Sequence, residues 1–200
     1  MIVLVKVWIN KKSEDVISND FENAFVYNIL DNNQDSNIKT DINKLWENYN
    51  VASLEPIYED LLIISIVVMA LDKHIPRAYF EDRWTRDIKI SIPVHEIEKW
   101  EENKYILEEM LNFLSGDSWN FSFRNTTTVF REHSVDSDEE VNDILENKSF
   151  DAVSLFSGGL DSFSGAIKLM EQGKNIFFVG FKEYNQLKSI QRELYEEINS

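Results

Sequence analysis

Between Ala152 and Phe181 two short apolar runs flank an amphipathic one, in an order that leaves few folds open. Ala152 to Phe156 reads as a buried strand. Ser157-Gly158-Gly159-Leu160-Asp161-Ser162 reads as a turn, Ser162 to Gln172 as a helix capped by Gly173, and Ile176 to Phe181 as a second buried strand. Parallel strands must be joined by a crossover of a dozen or more residues, so this spacing predicts a β-α-β unit, the opening of a parallel α/β sheet. An amphipathic helix from Leu187 to Ile198 extends it to β-α-β-α over residues 151–200.

The turn carries chemistry as well as geometry. Glycines at 158 and 159 let the backbone turn tightly and approach a ligand, and the helix that follows offers unpaired N–H groups and the positive end of its dipole. The hydroxyls of Ser157 and Ser162 add donors, which suits a polyphosphate. A turn that needs Gly158 and Gly159 for geometry alone, with Ser162 as helix N-cap, is the alternative. Asp161 favours the ligand, because a carboxylate beside a phosphate-binding helix end serves Mg²⁺, a hard cation that takes oxygen ligands. The spacing is not that of a P-loop, since no GxxxxGK[ST] is present.

Upstream, residues 1–130 predict an α+β unit with its own core. Ile2 to Ile9 alternates as a strand, and residues 10–50, rich in Asn, Asp and Ser, predict loops around one or two short amphipathic helices. A helix from Glu55 to Lys73 holds the longest apolar run, Leu61 to Leu71, and is expected to be buried on all faces except at its ends. Ile88 to Val94 predicts a half-exposed strand ended near Pro93. Ile97 to Leu114 predicts a helix with one stripe of Ile97, Trp100, Leu107, Met110, Leu111 and Leu114, closed by Gly116. Trp119, Phe121 and Phe123 alternate with polar residues as a strand, and read as core. Residues 131–150, through Asp136-Ser137-Asp138-Glu139-Glu140, predict a solvated acidic connector or an exposed helix.

Composition removes several function classes. The chain has no cysteine, which excludes disulfides, thiolate metal sites and cysteine nucleophiles. A net charge of −16 is the wrong sign for non-specific nucleic-acid binding. The longest apolar run falls short of the roughly 20 residues that span a bilayer, and Lys6 interrupts the N-terminal apolar segment, so neither a membrane span nor a secretory signal is expected. The expected location is the cytoplasm.

SGGLDS after an apolar strand resembles the loop of the PP-loop ATP pyrophosphatases, the superfamily that includes GMP synthetase, asparagine synthetase and 7-cyano-7-deazaguanine synthase. Over VSLFSGGLDSFSGAIKLMEQGKNIFFVGF the sequence is most similar to the 7-cyano-7-deazaguanine synthase-like (QueC-like) members. LEPIYEDLLIISIVVMALDKHIPRAYFEDRWTRDIKISIPV and EEMLNFLSGDSWNFSF resemble the extra N-terminal domain of QueC-like proteins from bacterial antiphage islands of the Qat type. The resemblance implies an enzyme that grips the pyrophosphate of ATP while a substrate oxygen attacks the α-phosphate, giving an adenylate that an amine then resolves. It assigns ATP binding to Ser157, Gly158, Gly159, Leu160, Asp161 and Ser162, and the catalytic and Mg²⁺ roles to Asp161. It also implies a small-molecule substrate and defence-system partner proteins. On this reading residues 151–200 are an incomplete PP-loop domain, and activity belongs to a longer protein. The synthase's cysteine zinc site has no counterpart here, and Glu183-Tyr184-Asn185-Gln186-Leu187 stands in place of its aromatic-Gly-Gln-Arg signature.

Weaker candidates remain. Lys182 and the backbone of Val179 to Phe181 lie where the resemblance puts the adenosine side of the site, with a solvated loop lysine as the alternative. Arg83, Trp84, Arg86 and Asp87 form either an interaction surface or an intramolecular ion pair. His74, His95 and His133 read as surface or packing residues.

Overall fold

The computed structural model describes residues 4–11, 15–29, 36–40, 54–129, 149–181 and 185–198. The chain divides into two compact units, residues 1–142 and 143–200. Of the acidic connector, residues 131–148 lie outside the described residues, as do Lys182 and His133.

Unit one runs β1 (Leu4–Asn10), β2 (Phe25–Asn28), α1 (Pro56–His74), β3 (Asp87–Val94), α2 (Ile97–Ser115), β4 (Ser118–Asn125). Its sheet has the order β2-β1-β3-β4, and every pairing is parallel. The expected α+β arrangement is thus corrected: this unit is α/β. From β1 the chain steps outward to β2, then crosses back over β1 to β3 and on to β4. Right-handed crossovers in opposite directions lie on opposite faces of a sheet. Accordingly α1 and α2 share one face, where Ile63, Ile64, Val67, Leu71 and Leu107 join Val5, Val7, Ile9, Ile88, Ile90, Ile92, Trp119, Phe121 and Phe123 in one core. The β1–β2 connection takes the other face, where Phe21, in a 3₁₀ turn (Asn19–Phe21), meets Trp8 edge-on at 5.5 Å between ring centroids.

That second face also holds a buried cation. The Arg124 guanidinium lies 3.5 Å from the Trp8 ring centroid and donates to Ile9 O (2.6 Å) and Ser91 Oγ (2.8 Å). Burial pulls its pKa down to about 10 against the opposing effect of Asp15, so it remains charged at neutral pH. With both faces covered, β3 is buried rather than half-exposed, Ser91 included. Pro93 is tolerated because it lies past Ser91, the last residue of β3 paired with β1. The outer edge of β4 is covered by α2, whose Asn112 and Glu108 side chains accept the Trp119 and Phe121 N–H groups at 2.8 and 2.7 Å.

Three expectations for this unit change. α1 is not buried all round: Tyr58, Leu61 and Met69 are exposed, because the helix lies against a single sheet face. Of the α2 stripe, Leu107 is buried, but Met110 and Leu114 face out beside α1. Within residues 10–50 the described part holds the 3₁₀ turn and the edge strand β2, which was not expected. Gly116 closes α2 in the left-handed conformation, φ +71°, as expected.

The start of the sheet is pinned by one carboxylate. Asp117, just before β4, accepts from the Arg86 backbone N–H (2.9 Å) and the Arg86 guanidinium (2.5 Å), and bidentately from Arg77 (2.7 and 3.0 Å). Arg86 also donates to the Asp72 and Ile75 carbonyls at the end of α1, so of the Arg83–Asp87 cluster Arg86 is an intramolecular ion-pair residue. Trp84 is exposed beside Arg77.

Unit two runs β5 (Ala152–Leu155), α3 (Leu160–Glu171), β6 (Ile176–Val179), α4 (Asn185–Ile198), with β5 and β6 parallel. Gly173, φ +71°, ends α3: its N–H bonds Met170 O and that of Lys174 bonds Leu169 O, the Schellman pattern. Phe156, Phe178 and Tyr195 form a run of ring contacts that seats α4 on one sheet face. Both strands were expected to be buried. On the opposite face Val153 and Leu155 are instead exposed, with no described element over them.

Burial alone would raise the Asp117 pKa, but the Arg86 hydrogen bonds and the charges of Arg86 and Arg77 hold it below the usual carboxylate range. A depressed native pKa gives stability that is complete above the unfolded value of about 3.9 and is lost as pH falls through the native one. Asp117→Asn should cost about 3–5 kcal/mol in urea unfolding at pH 7, and should flatten the decline in stability below about pH 4 expected of the unsubstituted chain.

Candidate functional site

Parallel α/β sheets take ligands beyond the C-terminal ends of their strands, most often where strand order reverses or where a helix begins directly after a strand. Each unit has such a position, and the two differ in what occupies it.

In unit one the order reverses between β1 and β3. Past β3, Asp60 of α1 accepts from the His95 N–H (2.8 and 2.9 Å), the Glu96 N–H (2.9 Å) and the Trp100 indole (3.0 Å). Past β1, Lys11 is buried against Glu59, to which it donates, and lies 2.9 Å from His95 Nε2. Burial lowers the Lys11 pKa, and the Glu59 hydrogen bond opposes the shift. The donors at this strand edge are engaged by the chain's own carboxylates. Sequence reading assigned His95 to surface or packing roles; its contacts here are structural. His74 is exposed and edge-on to Tyr27.

In unit two the position beyond β5 is open. The loop 157–162 leaves β5 and enters α3, whose N-cap is Gly159 rather than Ser162, so α3 begins two residues earlier than expected. The Ser162 side chain turns back within the first helical turn. Its Oγ donates to Gly159 O (2.9 Å) and lies 3.1 Å from Ser157 Oγ, which in turn accepts the Gly159 N–H at 3.4 Å. The two hydroxyls thus brace the loop from inside. The N–H groups of Leu160, Asp161 and Ser162 have no partner among the described residues and point out of the helix start. The Asp161 carboxylate makes no hydrogen bond or ion pair among the described residues, and the Leu160 side chain is exposed.

Gly158 has φ +84°, a conformation that L side chains rarely adopt. A Cβ there would also stand 3.3 Å from Gln191 Cγ and 3.4 Å from Ile190 Cγ2 on α4. The glycine is therefore required twice, by the turn and by the helix packed beneath it. Gln191 is the residue that sequence reading missed. Its Nε2 donates to Ser157 O (3.3 Å) and Phe181 O (3.2 Å), the backbone just past each strand.

Asp161 is the carboxylate free to take a metal at this loop. Among the described residues no three or more His, Cys, Asp or Glu side chains gather as a metal cluster. Mg²⁺ is commonly held by one or two carboxylates with phosphate and water oxygens completing its shell, and a single free Asp161 fits that mode. Unit one has a separate concavity of about 480 Å³ between α1 and α2, lined by apolar side chains including Ile64, Val68, Leu107 and Leu111. No described helix is long and apolar enough to cross a membrane. Searches against protein-family models, curated proteins and solved structures find no match to this chain.

Gly158→Ala should lower the stability of unit two by about 1–2 kcal/mol, from the left-handed backbone alone. Gly165→Ala, at a helical site with open space around it, should be neutral or stabilising by up to about 1 kcal/mol. Native-state hydrogen exchange of the α4 amides separates the two outcomes.

Proposed function

We propose that the loop 157–162 binds the phosphates of Mg·ATP and that the protein is an ATP-dependent enzyme of the PP-loop type, QueC-like, which adenylates a carboxylate or amide substrate with release of pyrophosphate. The observation that carries the reading is the coincidence, at one strand end, of three unpartnered helix-start amides, two hydroxyls and a free carboxylate. In this reading the N–H groups of Leu160, Asp161 and Ser162 hold phosphate oxygens, with Ser157 and Ser162 keeping the loop in shape. Asp161 holds Mg²⁺, which would supply charge neutralisation on the phosphates. The backbone of Val179–Phe181, at the end of the neighbouring strand, faces the base. Such catalysis is positioning and charge stabilisation, with no covalent protein intermediate. The resemblance to proteins of antiphage islands extends the proposal to a role in bacterial defence beside partner proteins, in the cytoplasm.

A second reading, ATP or AMP binding without turnover in a component that docks partners through unit one, is favoured by the exposed apolar groove between α1 and α2.

Incubating the chain with Mg·ATP and a panel of carboxylates, and assaying AMP and pyrophosphate, distinguishes the two. Product formation supports the enzyme, and affinity without products supports the binding component. Asp161→Ala should weaken Mg·ATP binding about tenfold or more in calorimetry, while leaving any Mg²⁺-free nucleotide binding largely intact. Equal Mg·ATP affinity in the two chains would remove Asp161 from the site.

A further inference from the structure

We infer that Gln191 is a positioning residue that fixes the separation of the loops following β5 and β6, so that the site selects ligands that touch both loops over ligands that touch the first alone. The inference rests on the nucleotide reading above and adds to it how the two halves of the site are held in register.

The last backbone bond between the strands is Phe156 N–H to Val179 O, at 2.8 Å. Beyond it the ladder stops. Among the described residues, the only hydrogen bonds that join the first loop to the second are the two made by the Gln191 amide, to Ser157 O and Phe181 O. One NH₂ group thus uses both of its donors to bridge the two loops. The seat of this side chain is built into the backbone on either side. A Cβ on Gly158 would meet Gln191 Cγ at 3.3 Å, and one on Gly180 would meet Gln191 Oε1 at 3.0 Å, both tighter than most Cβ contacts, so the Gln191 side chain would have to shift by a few tenths of an ångström. Gly180 is not in the left-handed conformation, and the atoms nearest to it are those of the Gln191 amide.

Residue type at 191 follows from this geometry. A glutamate would set a carboxylate against two carbonyl oxygens, and an alanine would leave the loops untied. An asparagine is one methylene too short to reach both carbonyls from the same helix position. With the tie broken, the first loop keeps its internal Ser157–Ser162 bracing, so its own phosphate contacts persist, while its distance from Val179–Phe181 is no longer set. A triphosphate that touches the first loop alone is insensitive to that distance. A nucleotide, with phosphates on one loop and base on the other, is not.

The test compares the dissociation constants of Mg·ATP and Mg·tripolyphosphate for the full chain and for Gln191→Ala, Gln191→Glu and Gly180→Ala, with thermal melts as a check on folding. Gly180→Ala displaces the same amide without altering residue 191. The expected result is that Mg·ATP affinity falls about tenfold in Gln191→Ala and Gln191→Glu, as for one or two lost hydrogen bonds, and by less in Gly180→Ala, while tripolyphosphate affinity stays within about twofold. Loss of both ligands by the same factor, or no change in either, would overturn the role of Gln191 while leaving nucleotide binding by the unsubstituted chain in place. If the unsubstituted chain binds neither ligand, the nucleotide reading fails and this inference with it. If Gln191→Ala fails to fold, the isosteric Gln191→Glu carries the comparison.

Discussion

Asp117 is the polar group on which the geometry of the first unit depends. Its carboxylate is withdrawn from solvent before β4, yet it gathers Arg86, just ahead of β3, and Arg77, which follows α1. Two residues of the segment between α1 and β3 thus share one anion at the start of β4. Arg86 carries the tie onward to carbonyls at the end of α1, where a helix has no backbone donors left to satisfy them and where its dipole favours a cation. Removing charges from water is costly, and the arrangement is offset only while every member is present. At the other end of β3, Asp60 holds the two amides that lead into α2 and the Trp100 indole. Buried carboxylates therefore bracket the central strand, one before its first residue and one past its last. Between them, the rows Val5–Ile88–Trp119 and Val7–Ile90–Phe121 supply the apolar contact that holds the helices on one face.

Much of this was legible in the residues. The alternation of Ile88, Ile90 and Ile92, and of Trp119, Phe121 and Phe123, gave strands and their inward faces, and Gly116 and Gly173 marked helix ends. In the first unit strand direction was not legible, because alternation is the same in parallel and antiparallel sheets and direction is decided by the connections, whereas the short crossover between β5 and β6 did show it. The α+β expectation failed for that reason. β2 escaped notice since Phe25-Val26-Tyr27-Asn28 is too short to show a period and sits at a sheet edge with half of its surface exposed. The apolar stripe of α2 was real, but a stripe says which side is apolar, not how much of it a neighbour will cover. Met110 and Leu114 lie on the uncovered part.

The loop 157–162 was visible because its signal is written in side chains: two glycines, two serines and an aspartate between an apolar run and a helical one. Gln191 was invisible because its partners are backbone carbonyls, which carry no residue-type signature, and because its own element reads as an ordinary amphipathic helix. The glycines at 158 and 180 flank it. Of these, only the first stands in a recognisable motif.

On the nucleotide reading a chain of net charge −16 takes a polyanion, and the local chemistry is compatible with that. Long-range repulsion from exposed carboxylates is screened beyond roughly 8 Å at physiological ionic strength. Amides at the start of α3 act at hydrogen-bond distance, where their orientation matters and net charge does not. Both units offer such a strand end, and the chain's own carboxylates decide which of them is open. Asp60 fills the one beyond β3, taking up the donors there, whereas Asp161 stands beside the other without engaging its amides. On the nucleotide reading, a cation held by Asp161 turns that negative charge into an attractive contact, so the acidic residue imposes a requirement for Mg²⁺ rather than a bar to phosphate.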